Sequence, residues 1–472
     1  MDKRRPGLSR RQLLRGMTAG AVMGASPLLK AASSSRVIVV GAGLAGLAAA
    51  RLLESQGVDV QVVEARERVG GRVNTLDGVA GHPEGGANVI GPNYGRVIDA
   101  AKTGDIVLRP AARGGETGLI IRGQRLRAQG WPESPLNTTQ GPLHALTSPR
   151  LIGPALRNNP LQHSTDWYQP KMAAFDVSAA VYLRDQGYDD QALALVDANN
   201  SYGNSLEGTS MLSLFRVGNN FARAGKMRQP ALVVSAGNSR IPEAIAAALR
   251  RPVSTGSDIR EVRQSASGAT AVDATGREHH ADRIILALPV PALRRMTVQG
   301  LHANQRDAQR ELEYHKITQV HFLVNGEYWN QELPGSWWTD WSLGRLFLSP
   351  ASSGDAPHNL TVWINGEHCE RFSGRSHEEI SAIVRREIEA VLPETKGLLE
   401  PAAVVDWGND IYAGGSWAVW RPGQLGAYFM ALQTATGRVH FAGEHTGRAN
   451  PGMEGAMESG ERAALEVLRE LV

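Results

Sequence analysis

The first strong pattern along the chain is a change of hydrophobic period. Residues 37–40, Val-Ile-Val-Val, are continuously apolar, as a strand buried on both faces must be, and Leu44 to Gln56 then carries apolar residues at helical spacing. After Gly57 a second β-type run, Val58 to Val63, completes a βαβ unit. A similar run near the far end, Val439 to Ala442, leads through Gly443-Glu444 and a loop into a helix expected to open near Gly455. Between them, Val233-Val234 precedes a helix over Ile241 to Leu249, a β-meander begins near Ile259, and Ile284 to Leu288 reads as a buried strand stopped by Pro289-Val290-Pro291. Helices are predicted over Val177 to Gln186 and Gln191 to Ala198, and strands over Thr318 to Val324 and Asn359 to Ile364. A further helix, His377 to Val391, has Ser376 as N-cap and Pro393 beyond its end.

The first βαβ unit carries Gly41, Gly43 and Gly46 in the spacing G-x-G-x-x-G, with Ala45 counted among the cofactor contacts. The first glycine permits a tight turn, the second lets backbone approach a pyrophosphate, and the third lets the helix pack close on the strand. The helix start then faces the phosphates with unpaired N–H groups. Glu64 ends the second strand, where a carboxylate can accept both ribose hydroxyls of an adenosine and disfavours a 2′-phosphate. The strand, loop and helix at the far end offer a second set of N–H groups to a pyrophosphate.

Composition alters this picture mainly at the N-terminus. Ser9-Arg10-Arg11-Gln12-Leu13-Leu14-Arg15 and the weakly apolar stretch to Leu29 read as a twin-arginine export signal over 1–32, too short to span a bilayer stably. That segment holds seven basic residues against one acidic, so the whole-chain charge of +3 becomes about −3 for the remainder. The basic character belongs to the signal, and no nucleic-acid partner or stable membrane span is expected. A periplasmic or secreted location follows, with the twin-arginine translocon as a partner. Cys369 is the sole cysteine, so no intramolecular disulfide can form. The remaining chain, about 440 residues, exceeds one core, and two domains are expected. The dinucleotide elements lie at 36–97, 232–296 and 405–472, and the stretches 98–231 and 297–404 are left for a substrate domain.

Arg66-Glu67-Arg68-Val69-Gly70-Gly71-Arg72 completes the pattern E-A-R-x-R-x-G-G-R with Glu64 and Ala65. This resembles the flavin-containing amine oxidase family, which includes monoamine, polyamine and L-amino-acid oxidases. The closing F-A-G-E-x-T…M-E-G-A…S-G-x-R-A-A segment, from Phe441 to Ala464, resembles the same family. The resemblance implies an α/β fold: a discontinuous Rossmann-like FAD-binding domain beside an α+β substrate domain with a mixed sheet. It also implies FAD contacts from Glu64, Ala65, Arg66, Gly70, Gly71 and Arg72, from Gly86, Ala87 and Asn88 in the turn after Glu84, and from Ile259. At the closing end it adds Gly443, Glu444, Gly452, Met453 and Ala456.

The expected chemistry is hydride transfer from the carbon beside an amine to the flavin, with the protein excluding water and aligning the C–H bond. The resemblance places Ser416 where monoamine oxidases carry a cysteine bonded to the cofactor, so FAD is expected to be noncovalent. Trp417 matches one wall of an aromatic cage whose other wall is Gly452, and Gln319 stands where many members hold a lysine linked to oxygen reactivity. His321 shares the strand face of Gln319 by the two-residue period, while Lys316 points the other way. Oxygen or a periplasmic electron acceptor completes the cycle. The substrate is a small-molecule amine or amino acid, and a homodimer is compatible with the sequence. An amine is favoured, because Arg96, Arg113, Arg122 and Arg223 could bind a substrate carboxylate only if the fold brings one of them in. Trp329, Trp337, Trp338, Trp341 and Trp363 concentrate in the second substrate stretch, where they line a cavity or pack a sheet face.

Overall fold

The structure, a computed structural model, describes residues 35–111, 116–349 and 358–471. The export-signal segment and Arg113 lie outside the described residues. A four-stranded sheet sits at the centre of the Rossmann-like domain, in the order Val439–Phe441, Arg283–Leu286, Arg36–Val40, Asp59–Val63. Every pairing in it is parallel. Both faces of such a sheet are covered, which is why Val37, Ile38 and Val39 are fully buried. The meander Ile259–Gln264, Ala269–Asp273, Glu278–Ala281 flanks it as expected, with Thr297–Val298 added on its edge.

The opening helix Leu44–Ser55 packs on the parallel sheet through Gly46 and against the closing helix Gly452–Glu470 through Gly460. A Cβ on Gly46 would lie 1.9 Å from the Gly41 carbonyl oxygen, and one on Gly460 would lie 2.0 Å from the Ala45 carbonyl oxygen. Leu47 and Leu53 of the opening helix are wholly buried in this layer, each contributing about 1.5–3 kcal/mol. The closing helix starts at Gly452, three residues before the expected Gly455, because Pro451 takes the N-cap position in extended conformation.

The substrate domain is built on a seven-stranded sheet in the order Leu399–Asp406, Ile317–Val324, His358–Asn365, Arg345–Ser349, Ser336–Thr339, Thr117–Ile121, Gln124–Arg127. Only the Ser336–Thr339 and Thr117–Ile121 pair is parallel; the other neighbours are antiparallel. Strands at 117–127 come from the first substrate stretch, read from sequence only as loops and helices, and complete the sheet of the second. Helix His377–Val391 covers one face, and its start is fixed by a capping box: the Glu379 N–H donates to Ser376 Oγ and the Ser376 N–H to the Glu379 carboxylate. The opposite face looks towards the parallel sheet across a cavity. Two short pairings tie the domains together, Leu108–Pro110 with Leu232–Val234 and Glu313–Tyr314 with Ala418–Val419. Among the described residues, no helix is long and apolar enough to cross a membrane.

Candidate active site

A cavity of about 680 Å³ lies between the two domains. One half is built largely of backbone. Gly41, Gly43 and Ala45 line it at the opening helix start, Glu64, Ala65 and Arg66 at the end of the second strand, and Gly70, Gly71 and Arg72 in the following turn. Gly86, Ala87 and Asn88 add the next loop, Ile259 the meander, and Gly443, Glu444, Gly452 and Met453 the closing segment.

Several of these positions are held by local hydrogen bonds. Glu64 is 6% exposed and accepts from the Ala42 N–H at 2.8 Å and the Arg66 N–H at 2.9 Å, which fixes its carboxylate at the strand end. The Gly70 N–H donates to the Ala42 carbonyl at 2.8 Å, docking the Gly-Gly-Arg turn against the glycine-rich loop. Arg72 reaches the closing half of the chain, donating to the Ser416 carbonyl and lying 3.5 Å from the Glu444 carboxylate. Gly86 packs so tightly that a Cβ would stand 2.1 Å from the Arg72 carbonyl oxygen.

Gly43 is the informative exception. Its backbone is extended, and a Cβ there would meet no protein atom within 4 Å. The chain itself does not require a glycine at that point, and the open space leaves room for a group approaching from the cavity. A pyrophosphate at the helix start, with its ribose on Glu64, fits that space and those donors. Gly46 and Ala456 do not line the cavity: Gly46 packs helix on strand, and Ala456 packs among the buried apolar side chains behind the closing helix. The expected contact from Ala456 is therefore corrected to a packing role.

The other half carries side chains. In the seven-stranded sheet, Gln319, Trp363, Arg345 and Trp338 are direct cross-strand partners, forming one row across four strands. Directly opposed residues share a face, and all four line the cavity. The next row on this face is His321, Thr361 and Phe347. His321 is wholly buried, hydrogen-bonded to Thr361 Oγ1 at 3.1 Å and absent from the cavity wall. Burial pushes its pKa down to about 4. Its shared face with Gln319 is correct, but one row of separation takes it away from the site, so His321 is not a catalytic residue. Of the tryptophans, Trp338 and Trp363 line the cavity, Trp337 is buried in the opposite face, and Trp329 and Trp341 pack against that same core.

Trp417 lines the cavity and donates from Nε1 to the Ser201 carbonyl at 2.6 Å. Tyr202 stacks on it at 5.3 Å with the planes 14° apart. Gly452 lines the same cavity, and Tyr202 covers one face of the indole. His315, which sequence reading passed over, also lines the cavity, with Nδ1 2.8 Å from Ser416 Oγ. Burial, aided by the Arg345 charge, pushes His315 down to about 3, so it is neutral at physiological pH. Lys316 points away and pairs with Glu370 at 2.8 Å, as its strand position implied.

Arg345 was missed entirely. It is 9% exposed, and no described Asp or Glu pairs with it. Of the described arginines considered from sequence as carboxylate partners, none lines the cavity: Arg96 is tied to Glu454 and Glu461, and neither Arg122 nor Arg223 lines it. No sequence spacing marks Arg345, because its place follows from strand register.

A profile of the flavin containing amine oxidoreductase family matches residues 44–468. The chain belongs to this family. It is 25% identical to an L-amino-acid oxidase of Siganus canaliculatus, over 92% of this chain and 85% of that protein. It is 26% identical to lysine-specific histone demethylase 1 homolog 1 of Arabidopsis thaliana, over 92% of this chain and 52% of that protein. Among solved structures, putrescine oxidase bound to putrescine superposes with a TM-score of 0.78 at 22% identity, covering 92% of this chain and 99% of that one. Cyclohexylamine oxidase from Brevibacterium oxydans superposes at 0.76 with 21% identity, covering 93% and 99%. The protein is thus a flavin-dependent amine oxidoreductase with an amine-oxidase fold and FAD as cofactor, and the backbone-lined half of the cavity fits that cofactor.

Proposed function

We infer that this amine oxidoreductase oxidises the C–N bond of a small molecule with noncovalently held FAD, and that it works outside the cytoplasm after twin-arginine export. The observation that carries the reading is one cavity with a backbone cradle at one end and a row of large side chains at the other. Bound FAD would supply the two-electron acceptor for a hydride leaving the carbon beside the nitrogen, after which the imine hydrolyses to a carbonyl compound and oxygen or another acceptor restores the cofactor.

The protein's own residues perform positioning and exclusion. Gly41, Gly43 and the opening helix N–H groups would hold the pyrophosphate, and Glu64 the ribose. The cavity acids among the described residues, Glu64, Asp258 and Glu444, all belong to the cradle half or its rim, so no described carboxylate faces the substrate end to stabilise a cationic ammonium. A neutral nitrogen is what hydride loss requires. Trp363, Trp338 and Trp417 exclude water around it. Ser416 replaces a covalent attachment point and is engaged with His315. Acid precipitation should therefore release all FAD into the supernatant, and flavin retained in the pellet would contradict noncovalent binding. Product analysis on a panel of amines and amino acids should yield a carbonyl compound and ammonia or an amine in equal amounts. Turnover without C–N cleavage would exclude the reading. Gln319 favours an acceptor other than oxygen, which added cytochrome c or quinone would reveal as faster reoxidation.

A further inference from the structure

Arg345 is the one buried cation at the substrate end of the cavity with no counter-charge among the described residues. Its protein hydrogen-bond partner is a single neutral hydroxyl, Ser201 Oγ, and its Nε has none. Around it stand aromatic rings: the guanidinium carbon is 5.2 Å from the centre of Trp338, 5.1 Å from Trp363 and 5.5 Å from Phe347. Ring faces ease the burden of a buried charge but do not satisfy its N–H groups. An isolated buried guanidinium is costly, and it is kept where an anion completes it. Desolvation already pulls its pKa down to about 10, a sign of that missing partner.

The position is also directional. Arg345 lies in the same cross-strand row as Gln319, two strands away, with Trp363 between them. Arg345, Gln319 and the cradle residue Gly71 all line this cavity, so a molecule held on Arg345 shares one space with the cofactor end. A planar guanidinium with free N–H groups matches a carboxylate by two parallel hydrogen bonds. The apolar wall formed by Trp338, Trp363, Leu214 and Val217 would take a large hydrophobic side chain.

We propose that Arg345 is the specificity-determining residue of the site and binds the carboxylate of an α-amino acid with a bulky apolar side chain. This rests on the oxidase reading above and reverses the sequence-based preference for a simple amine. It also excludes diamines as good substrates, because a second ammonium would face Arg345 rather than an acid.

The test uses the FAD-loaded enzyme and matched pairs such as L-phenylalanine and 2-phenylethylamine, drawn from a panel of both enantiomers. The wild type should turn over the carboxylate-bearing member with the higher kcat/KM. Arg345→Met should lower that value by about 10²–10³-fold, mainly through KM, and change the matched amine by only a few fold. Arg345→Lys should recover part of the loss. Benzoate, a carboxylate without an amine, should perturb the flavin spectrum of the wild type and not of Arg345→Met at the same concentration. A wild-type preference for the decarboxylated amines, an equal loss for both members of each pair, or benzoate binding that survives Arg345→Met would overturn the proposal. If no amine or amino acid is oxidised, the oxidase reading fails, while the benzoate comparison still decides the role of Arg345.

Discussion

Replacing Gly43 by alanine should separate the cofactor from the fold. Gly43 has φ −74° and ψ 175°, values open to any L-residue, and the added Cβ meets no protein atom within 4 Å. The apoprotein should lose nothing, and the stiffer unfolded chain should stabilise it by about 0.4–1 kcal/mol. With FAD the outcome differs, because the methyl takes the space through which a pyrophosphate reaches the helix start. A charge-assisted hydrogen bond is worth about 1.5–3 kcal/mol, so displacing phosphate from two N–H groups costs about 3–6 kcal/mol, or roughly 10²–10⁴ in Kd. Gly46→Ala is the contrast. Its Cβ falls 1.9 Å from the Gly41 carbonyl oxygen, so the helix must move and the apoprotein itself should lose at least about 1–3 kcal/mol. Thermal unfolding of the two apoproteins, with titration of each by FAD fluorescence quenching, reads both quantities. Wild-type FAD affinity in Gly43→Ala, or an apoprotein loss as large as that of Gly46→Ala, would refute the assignment of the open space to the cofactor.

Two further outcomes follow from buried titratable groups. His321 has a folded pKa of about 4 against 6.5 unfolded, so as pH falls from 6.5 the unfolded chain takes up a proton that the folded chain refuses. Its contribution is flat above pH 6.5 and costs about 1.4 kcal/mol per pH unit down to about 4. The stability difference between wild type and His321→Gln, from denaturant melts, should shift by that slope across this window; a constant difference would contradict the burial argument. The Cys369 thiol is 4% exposed and pushed up to about 11 by burial. Iodoacetamide should leave it unmodified in the native protein and alkylate it after unfolding, and rapid native labelling would show that the site opens.

The backbone-lined half of the cavity was legible in sequence because it is built from local features. Glycine spacing, a strand-end acid and a helix start are local features, so Gly41, Gly43, Glu64 and Gly71 could be placed residue by residue. Helix His377–Val391 was legible for the same reason, since its Ser376 and Glu379 capping box is contained in four residues. The substrate half was not. Its wall is the row Gln319, Trp363, Arg345 and Trp338, contributed by four strands whose register depends on loops and on the whole sheet. Alternation within one strand told which face His321 shares with Gln319, but not how far along that face the cavity extends. The closing helix was set too late because Pro451-Gly452 reads as a loop, whereas Pro451 caps the helix and Gly452 begins it at φ +63°. Of the strands at 117–127, Thr117–Ile121 takes its place in the sheet from Ser336–Thr339, more than two hundred residues later, and Gln124–Arg127 pairs back on Thr117–Ile121 across the Arg122-Gly123 turn.

In the proposed reaction the cavity would bring a C–H bond beside an amine nitrogen to bound FAD. Anaerobic mixing of the FAD-loaded protein with a panel of amines and amino acids tests it without reference to the final electron acceptor. Carboxylate-bearing amines with bulky apolar side chains should abolish the visible absorbance of oxidised flavin, and the absorbance should return when an acceptor is added. An oxidised spectrum that no member of the panel changes would contradict the proposed reaction.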